Sequence, residues 1–141
     1  MRFLIGILLF FNLNFIQAQT EVEQFEITIT TEIIQEQLIK SFSEKQCGML
    51  IWMCNDSLDF AVETSEGIAA DKETRRHAMN NIQGLMDQIL YSRFKASIGK
   101  PQMGYDVVSV QIYKYPDKDE ISINIYFVID ECKKITAILI E

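Results

Sequence analysis

The sequence predicts an α+β fold in which a mainly antiparallel sheet of five to six strands carries two helices on one face. Two observations lead to this prediction. Apolar residues alternate with polar ones along the last third of the chain, as in strands, and recur every three to four positions in two earlier stretches, as in helices. The elements follow one another as β-α-β-β-α-β-β-β. Strands joined by hairpins, with helices that need one face covered, favour helices on one side of the sheet.

The N-terminal residues 1–19 have the three parts of a secretory signal peptide. Arg2 provides a positive charge, an apolar run follows, and Ala18 is a small residue at the expected cleavage point. The apolar run is too short to span a bilayer comfortably. We therefore expect cleavage after Ala18 or Gln19, one domain over residues 20–141, and a secreted or periplasmic product without stable membrane insertion.

The composition is acidic and bounds the range of partners. Twenty Asp and Glu residues against 13 Lys and Arg residues give a formal net charge of −7. Nucleic acids and anionic membrane surfaces are bound through clusters of Lys and Arg, which this chain lacks. We expect no nucleic-acid binding, and a protein partner or self-association instead.

The first strand and helix are predicted from a change of period. A short strand over residues 25–29 has β-branched residues on both faces. Thr30 or Thr31 can cap the helix that follows, and this helix should run to about Lys45 and stop before Gly48.

A hairpin is predicted next. Residues 48–54 form a continuous apolar run, and residues 58–62 alternate. Between them, Asn55 and Asp56 tolerate the left-handed backbone of a two-residue turn. The alternative is that the first helix continues through Met53.

The strongest helical pattern covers residues 68–94. Asp71 can cap this second helix, and Gly84 within it would allow a strand to approach closely or would mark a bend. Residues 99–104, which contain two glycines and a proline, break the helix. Its apolar stripe consists of Ala78, Ile82, Leu85, Met86, Ile89, Leu90 and Phe94.

A three-stranded meander closes the chain. Residues 107–115 and 121–129 alternate, and residues 116–119 between them form a turn in which Tyr115 would face Glu120. The register this implies pairs Ile112 with Ile123, Val110 with Ile125 and Val108 with Phe127, all on one face.

The last strand has apolar residues on both faces, which is typical of a central strand or of a strand whose outer face meets another surface. A five-residue turn over residues 130–134 would pair Ile129 with Ile135 and direct Leu139 to the core. A four-residue turn would reverse the two faces. The sequence is compatible with both.

The order of helix, hairpin, helix and meander resembles the profilin-like and nuclear-transport-factor-like classes. The resemblance is one of element order, without a shared motif, and it implies a fold and no function.

The three cysteines suggest a disulfide, since disulfides persist outside the cytosol. Cys47 and Cys54 would be about 23 Å apart on one extended strand and cannot bond to each other there. A bridge would therefore join Cys132 to Cys54 or Cys47.

Residues capable of catalysis or metal binding are few. His77, the only histidine, could act as a base steered by Glu73, although a surface histidine is the simpler interpretation. Four sulfur residues, four acidic side chains and a calcium-like loop over residues 117–120 are possible sites, and none has a recognised spacing. We expect no catalytic residue, metal or cofactor, and a protein that is not an enzyme. The sulfur residues are Cys47, Met49, Met53 and Cys54, and the acids flanking the second helix are Glu63, Glu66, Asp71 and Glu73.

Binding is the function that the sequence favours. Tyr113, Tyr115 and Tyr126 lie on the face opposite the predicted core, among small polar residues, as in many recognition surfaces. The alternative is a small-molecule binder or small enzyme. Its pocket would lie between the second helix and the sheet, lined by Met86, Phe94 and Trp52 and rimmed by His77 and the acids.

Overall fold

The computed structural model describes residues 28–90 and 93–141 of the chain. The signal peptide and most of the first predicted strand lie outside these residues, and residues 28–30 are not in a strand. The described elements are, in order, α1 (Thr31–Glu44), a 3-10 helix (Gly48–Met53), β1 (Cys54–Thr64), β2 (Gly67–Thr74), α2 (Arg75–Gln88), β3 (Phe94–Ile98), β4 (Asp106–Tyr113), β5 (Ile121–Ile129) and β6 (Ile135–Ile140).

The strands form one six-stranded sheet in the order β2-β1-β6-β5-β4-β3. Only the pairing of β1 with β6 is parallel; the other four pairings are antiparallel. Both α-helices lie on one side, which confirms the predicted α+β class. We call the sheet surface under the helices the inner face and the opposite surface the outer face.

The core lies between the helices and the inner face. Its largest fully buried side chains are Phe42, Phe127, Ile34, Leu38, Leu50, Leu58, Ile82, Met86, Ile112, Ile125, Ile129 and Ile135. At about 25 cal/mol per Å² of apolar surface removed from water, these side chains are the main source of stability.

Helix α1 confirms the prediction at both ends. The hydroxyl of Thr30 accepts a hydrogen bond from the backbone N–H of Ile33, and Lys45 ends the helix in the left-handed conformation. Neither α1 nor α2, the two longer helices in the described part of the chain, has the length and apolarity to span a membrane.

The hairpin predicted around Asn55 and Asp56 is wrong. The apolar run before it is a 3-10 helix that buries Leu50 beneath α1, while Met49 and Trp52 are exposed. A continuous apolar run does not distinguish a strand from a short helix. Both Asn55 and Asp56 lie inside β1. Helix α1 ends at Glu44, so the alternative in which it continues through Met53 is also wrong.

The observed hairpin joins β1 to β2, so the second helix begins later than predicted. Residues 68–74 pair with β1, and Thr74, not Asp71, caps α2 by accepting a hydrogen bond from the backbone N–H of His77. The helix ends at Gln88, and Phe94 belongs to β3. Strand β2 is mostly exposed, so it carries no apolar alternation by which the sequence could reveal it.

The meander has the predicted register in its central part. Ile112 pairs with Ile123, Val110 with Ile125 and Val108 with Phe127. Near the turn the register slips by one residue at Tyr113, so that the Lys114 N–H donates to the carbonyl of Glu120. The predicted pairing of Tyr115 with Glu120 is therefore wrong.

Strand β6 lies in the centre of the sheet, which is one of the two positions that its apolar faces favoured, and it changes face at an irregularity. Ile129 pairs with Ile135, as the five-residue turn requires, but Phe127 pairs with Ile138. Ile135 and Ile138 are consequently both buried, and Leu139 lies on the outer face. Neither regular alternative from the sequence describes this strand.

Candidate functional site

A cleft of about 530 Å³ opens between α2 and the inner face of β1, β2 and β6. Phe60 and Val62 of β1 and Ile140 of β6 line its sheet side, and Leu85 of α2 lines the helix side. Apolar concave surfaces with a few polar groups are the usual form of a small-molecule site.

The residues of β2 account for the presence of this cleft. The register places Ala69, Asp71 and Glu73 beside Val62, Phe60 and Leu58, all on the inner face. These three β2 side chains are small or acidic, and none fills the space under the C-terminal half of α2 as an isoleucine or phenylalanine would. The cleft thus follows from the side chains of an edge strand.

Three polar side chains border the cleft, Asp71, Glu73 and Asn81. Glu73 is the most sheltered, with a side chain 14% exposed. Its Oε2 accepts a hydrogen bond from Nδ2 of Asn81 at 2.9 Å, and its Oε1 lies 3.6 Å from Nδ1 of His77. A carboxylate held from two sides in this way is a fixed acceptor beside an apolar surface.

The cleft suits binding better than acid–base chemistry. Asp71 and Glu73 are two residues apart on the same strand, so they occupy one wall. Glycoside hydrolysis requires two carboxylates on opposite sides of the bond that breaks. Glu63 and Glu66, the other acids of this region, do not line the cleft, and Glu63 lies on the outer face.

The cleft lies between the second helix and the sheet, as in the predicted pocket, but Met86, Phe94, Trp52 and His77 do not line it. Met86 is fully buried in the core, and Phe94 packs on Phe42 with ring centroids 5.9 Å apart. Trp52 is exposed on the surface, where the guanidinium of Arg75 lies 4.9 Å from its ring. The sequence offered one clue to the true lining: Gly67 after Ser65 and Glu66 is a turn signal, and a strand starting there would have placed Asp71 and Glu73 opposite β1.

His77 lies in the first turn of α2 with its side chain 66% exposed. Its predicted partner Glu73 is within 3.6 Å, but it belongs to strand β2 and not to the same helix. No cysteine or serine hydrogen bond to the imidazole occurs among the described residues. The simpler interpretation, a surface histidine, fits this arrangement.

The four sulfur residues differ in their surroundings, since Met49 is 60% exposed and Cys54 is buried. In the described part of the chain, no group of three or more His, Cys, Asp or Glu side chains is placed to hold a metal ion. The Cys47 thiol contacts the carbonyl of Met79, and burial raises its pKa to about 11. Burial likewise raises the pKa of Cys54 to about 12, so both thiols stay protonated and are weak nucleophiles.

The structure contains free thiols at Cys47, Cys54 and Cys132. Cys132 is exposed in the turn before β6, whereas Cys54 is buried at the start of β1. A bridge between Cys132 and Cys54 or Cys47 stays a prediction for the oxidised protein.

The three tyrosines do not form one cluster. Tyr126 is half-buried in the middle of the outer face, and burial together with a hydrogen bond to the Glu141 carboxylate raises its pKa. The guanidinium of Arg93 covers Tyr113 at 4.2 Å. Tyr115 lies outside the strands, beside Lys114 and Lys118. Each ring therefore has its own polar or cationic neighbour.

Comparison with known proteins identifies the fold and no activity. No protein-family model matches the sequence, and no curated protein is significantly similar to it. Among solved structures, a DUF4783 family protein from Bacteroides ovatus superposes with a TM-score of 0.56 at 13% identity, over 80% of this chain and 94% of that one.

Two further structures give the same result. A DUF4783 family protein from Bacteroides uniformis has a TM-score of 0.52 at 17% identity, over 75% of this chain and 94% of that one. A domain of unknown function with a cystatin-like fold from Nostoc punctiforme has a TM-score of 0.51 at 18% identity, over 79% of this chain and 78% of that one. At such identities the likeness extends to the fold, which is NTF2-like and cystatin-like.

Proposed function

We propose that this chain is a small exported protein that binds an amphiphilic small molecule in the cleft between α2 and the sheet. The observation that supports the proposal is the contrast within the cleft. One part of its surface is apolar, and another carries the carboxylates of Asp71 and Glu73. The signal-like N-terminus supports a secreted or periplasmic location.

The lining indicates the chemistry of the ligand. An alkyl or aromatic group would contact Phe60, Val62 and Leu85, and its burial would provide most of the affinity. The polar end of the ligand would donate hydrogen bonds, because the ionised carboxylates of Asp71 and Glu73 can accept hydrogen bonds but cannot donate them. An amine or ammonium group meets this requirement, and a carboxylate group would be repelled.

Calorimetric titration of the mature protein with three matched compounds tests the proposal. We expect 2-phenylethylamine to bind more tightly than its neutral analogue 2-phenylethanol, and the anionic analogue 3-phenylpropionate to bind least. Glu73→Gln should remove most of the preference for the amine and leave binding of the neutral compound unchanged.

A pair of variants on β2 locates the site. Ala69→Phe fills the cleft and should abolish binding of 2-phenylethylamine. Ile68→Phe is the matched control, since Ile68 points to the outer face and is 66% exposed. Equal binding by both variants, or no binding of any of the three compounds at millimolar concentration, would refute the proposal.

A protein-binding role is a second candidate, and the outer face of the sheet favours it. None of the described helices covers this face, and Tyr126 lies at its centre. Tyr126→Ser should then weaken capture of a protein partner without unfolding the domain, and Tyr115→Ser, at the end of the β4–β5 hairpin, should have a smaller effect. Unchanged capture by Tyr126→Ser would exclude this face.

A further inference from the structure

A hollow of about 390 Å³ lies on the outer face of the sheet, on the side away from the cleft. Its floor consists of Val107, Val128 and Leu139, which belong to β4, β5 and β6 and are half-buried. The segment after β3 borders it, and the backbone N–H of Gly99 in this segment donates to the carbonyl of Val107. The outer hollow, as we call it, is thus a concave apolar surface with a few polar groups, which is the usual form of a small-molecule site.

One end of the outer hollow offers positive charge and hydrogen-bond donors. Lys100 and Gln102 border the hollow at this end, and both residues are exposed. The ion pairs found in the described part of the chain do not include Lys100. Lys95 also faces outward, from the edge strand β3. This end therefore suits an anionic group.

The opposite end offers hydrogen-bond acceptors. The carboxylate of Glu141 borders the hollow and accepts a hydrogen bond from the hydroxyl of Tyr126. The hydroxyl of Ser109 donates to the carbonyl of Ser97 at 3.5 Å. Asn124, which pairs with Glu141 across the strands, has a buried Oδ1 that receives no hydrogen bond from any described residue. Both hydroxyl protons are thus used within the protein, while a carboxylate can accept further bonds, so a ligand group at this end must be a donor.

The separation of the two ends sets the length of the ligand. Glu141 pairs with Asn124 and Gly99 with Val107, so the ends are three strands apart and about four residues apart along the strands. A strand spacing of about 4.8 Å and a rise of about 3.3 Å per residue then place their Cα atoms about 20 Å apart. The lysine and glutamate side chains, when extended toward each other, cover about half of this distance and leave about 10 Å. An aromatic ring with a two-carbon chain and a carboxylate has this length.

We propose that the outer hollow binds an aromatic carboxylic acid with a hydroxyl or another hydrogen-bond donor at its far end. The carboxylate pairs with the ammonium group of Lys100, the flat ring lies on the apolar floor, and the distal donor bonds to Glu141. Glu63 lies on the outer face near the Glu141 end, where it repels a carboxylate and thereby fixes the orientation of the ligand. This site is on the other side of the sheet from the cleft and has the opposite charge preference.

Calorimetric titration of the mature protein with two matched acids tests the proposal. The acids are 3-(4-hydroxyphenyl)propionate and 3-phenylpropionate, which differ only in the distal hydroxyl group. We expect the hydroxylated acid to bind with a dissociation constant below about 1 mM. The acid without the hydroxyl should bind about tenfold more weakly, because it leaves the acceptors at the Glu141 end without a donor.

Variants of exposed residues assign the two ends. Lys100→Ala should weaken binding of both acids about tenfold, since both have the carboxylate. Glu141→Ala should weaken only the hydroxylated acid, to about the affinity of 3-phenylpropionate. Lys40→Ala, on the exposed side of α1, is the matched control and should leave binding of both acids unchanged.

The outcomes separate this site from the cleft. Equal binding of the two acids, no binding of the hydroxylated acid at millimolar concentration, or unchanged binding by Lys100→Ala would overturn the proposal. Ala69→Phe, which fills the cleft, should leave binding of the hydroxylated acid unchanged. Loss of binding in this variant would place the acid in the cleft and would also overturn the proposal. Because the cleft is tested with an amine, a failure at one site is distinguishable from a failure at the other.

Discussion

At the residue scale, one polar contact joins three separate parts of the chain. Oδ2 of Asp106, at the start of β4, is 2.6 Å from Nζ of Lys133 and 2.6 Å from the hydroxyl of Thr31. Thr31 begins α1, and Lys133 lies in the turn before β6 with a positive φ of 58°. The contact therefore fixes the start of the first helix against the sheet.

The pH dependence of this contact is predictable. The hydrogen bonds from Lys133 and Thr31 hold the pKa of Asp106 below its ordinary value. A carboxyl group with a lowered pKa in the folded state stabilises the protein above its unfolded pKa of about 3.9, and this contribution is lost as the pH falls through the folded value. We expect Asp106→Asn to lower the free energy of unfolding by about 0.5–1 kcal/mol at pH 7. The effect is this small because the side chains of Asp106 and Lys133 are both partly exposed.

Urea denaturation at pH 7 and pH 3 measures this effect. The difference between the two proteins should shrink at the lower pH. Asp117→Asn, in the exposed β4–β5 turn, should have no effect at either pH. A difference of equal size at both pH values would show that the Asp106 charge is not the cause.

Gly84 in α2 gives a second prediction at this scale. A Cβ at Gly84 would have no other side chain or strand within 4 Å. The close approach of a strand to this glycine, which the sequence suggested, is therefore not observed. Gly84→Ala should therefore raise the free energy of unfolding by about 0.5–1 kcal/mol, because alanine has less backbone freedom to lose.

Thermal denaturation checks this with a matched control. Gly67→Ala should destabilise the protein, since Gly67 has a φ of 127° that L side chains rarely adopt. Destabilisation by Gly84→Ala would mean that α2 bends or packs differently.

At the scale of elements, β6 provides the clearest test of the fold. Its irregular pairing with β5 directs Ile138 into the core and Leu139 outward. Ile138→Ala should cost about 3 kcal/mol by leaving a cavity, and Leu139→Ala about 1 kcal/mol. Chemical denaturation of both variants at low protein concentration, where self-association is negligible, measures the two losses of stability. A larger loss for Leu139→Ala than for Ile138→Ala would indicate a regular strand.

The elements that sequence analysis placed wrongly have a common cause. Strand β2 and the 3-10 helix depend on their neighbours: β2 is held by hydrogen bonds to β1, and the 3-10 helix by burial of Leu50 beneath α1. Their own sequences have no diagnostic period. Helix α1 and the β4–β5 pair, which have one, were predicted correctly in type and nearly so in extent.

At the scale of the whole molecule, the sheet separates the two surfaces that we propose for binding. The cleft lies under α2 on the inner face, and the surface proposed for a protein partner lies on the outer face. A small molecule in the cleft and a protein partner could therefore bind together. The Phe60 and Ala61 positions illustrate this division, since adjacent residues of β1 serve opposite faces.

Export makes a prediction at the same scale. We expect the protein recovered from its native host to begin at Gln19 or Thr20, with the first 18 or 19 residues removed. Intact mass spectrometry of the secreted or periplasmic fraction measures this, and the same spectrum before and after reduction shows whether Cys132 is bridged. A full-length chain that begins at Met1 would contradict cleavage.

The sequence by itself determined the fold class, the first helix and the central register of the meander. Each of these features depends on a local hydrophobic period or on residue pairs within one hairpin. Residues close together in the sequence encode both. Only the tertiary structure decided the course of residues 48–74, the face of Ile138 and the lining of the cleft. Those features arise from contacts between distant segments: β6 pairs with β1 across more than 70 residues of chain, and the acids of β2 border a cleft only because α2 lies over them.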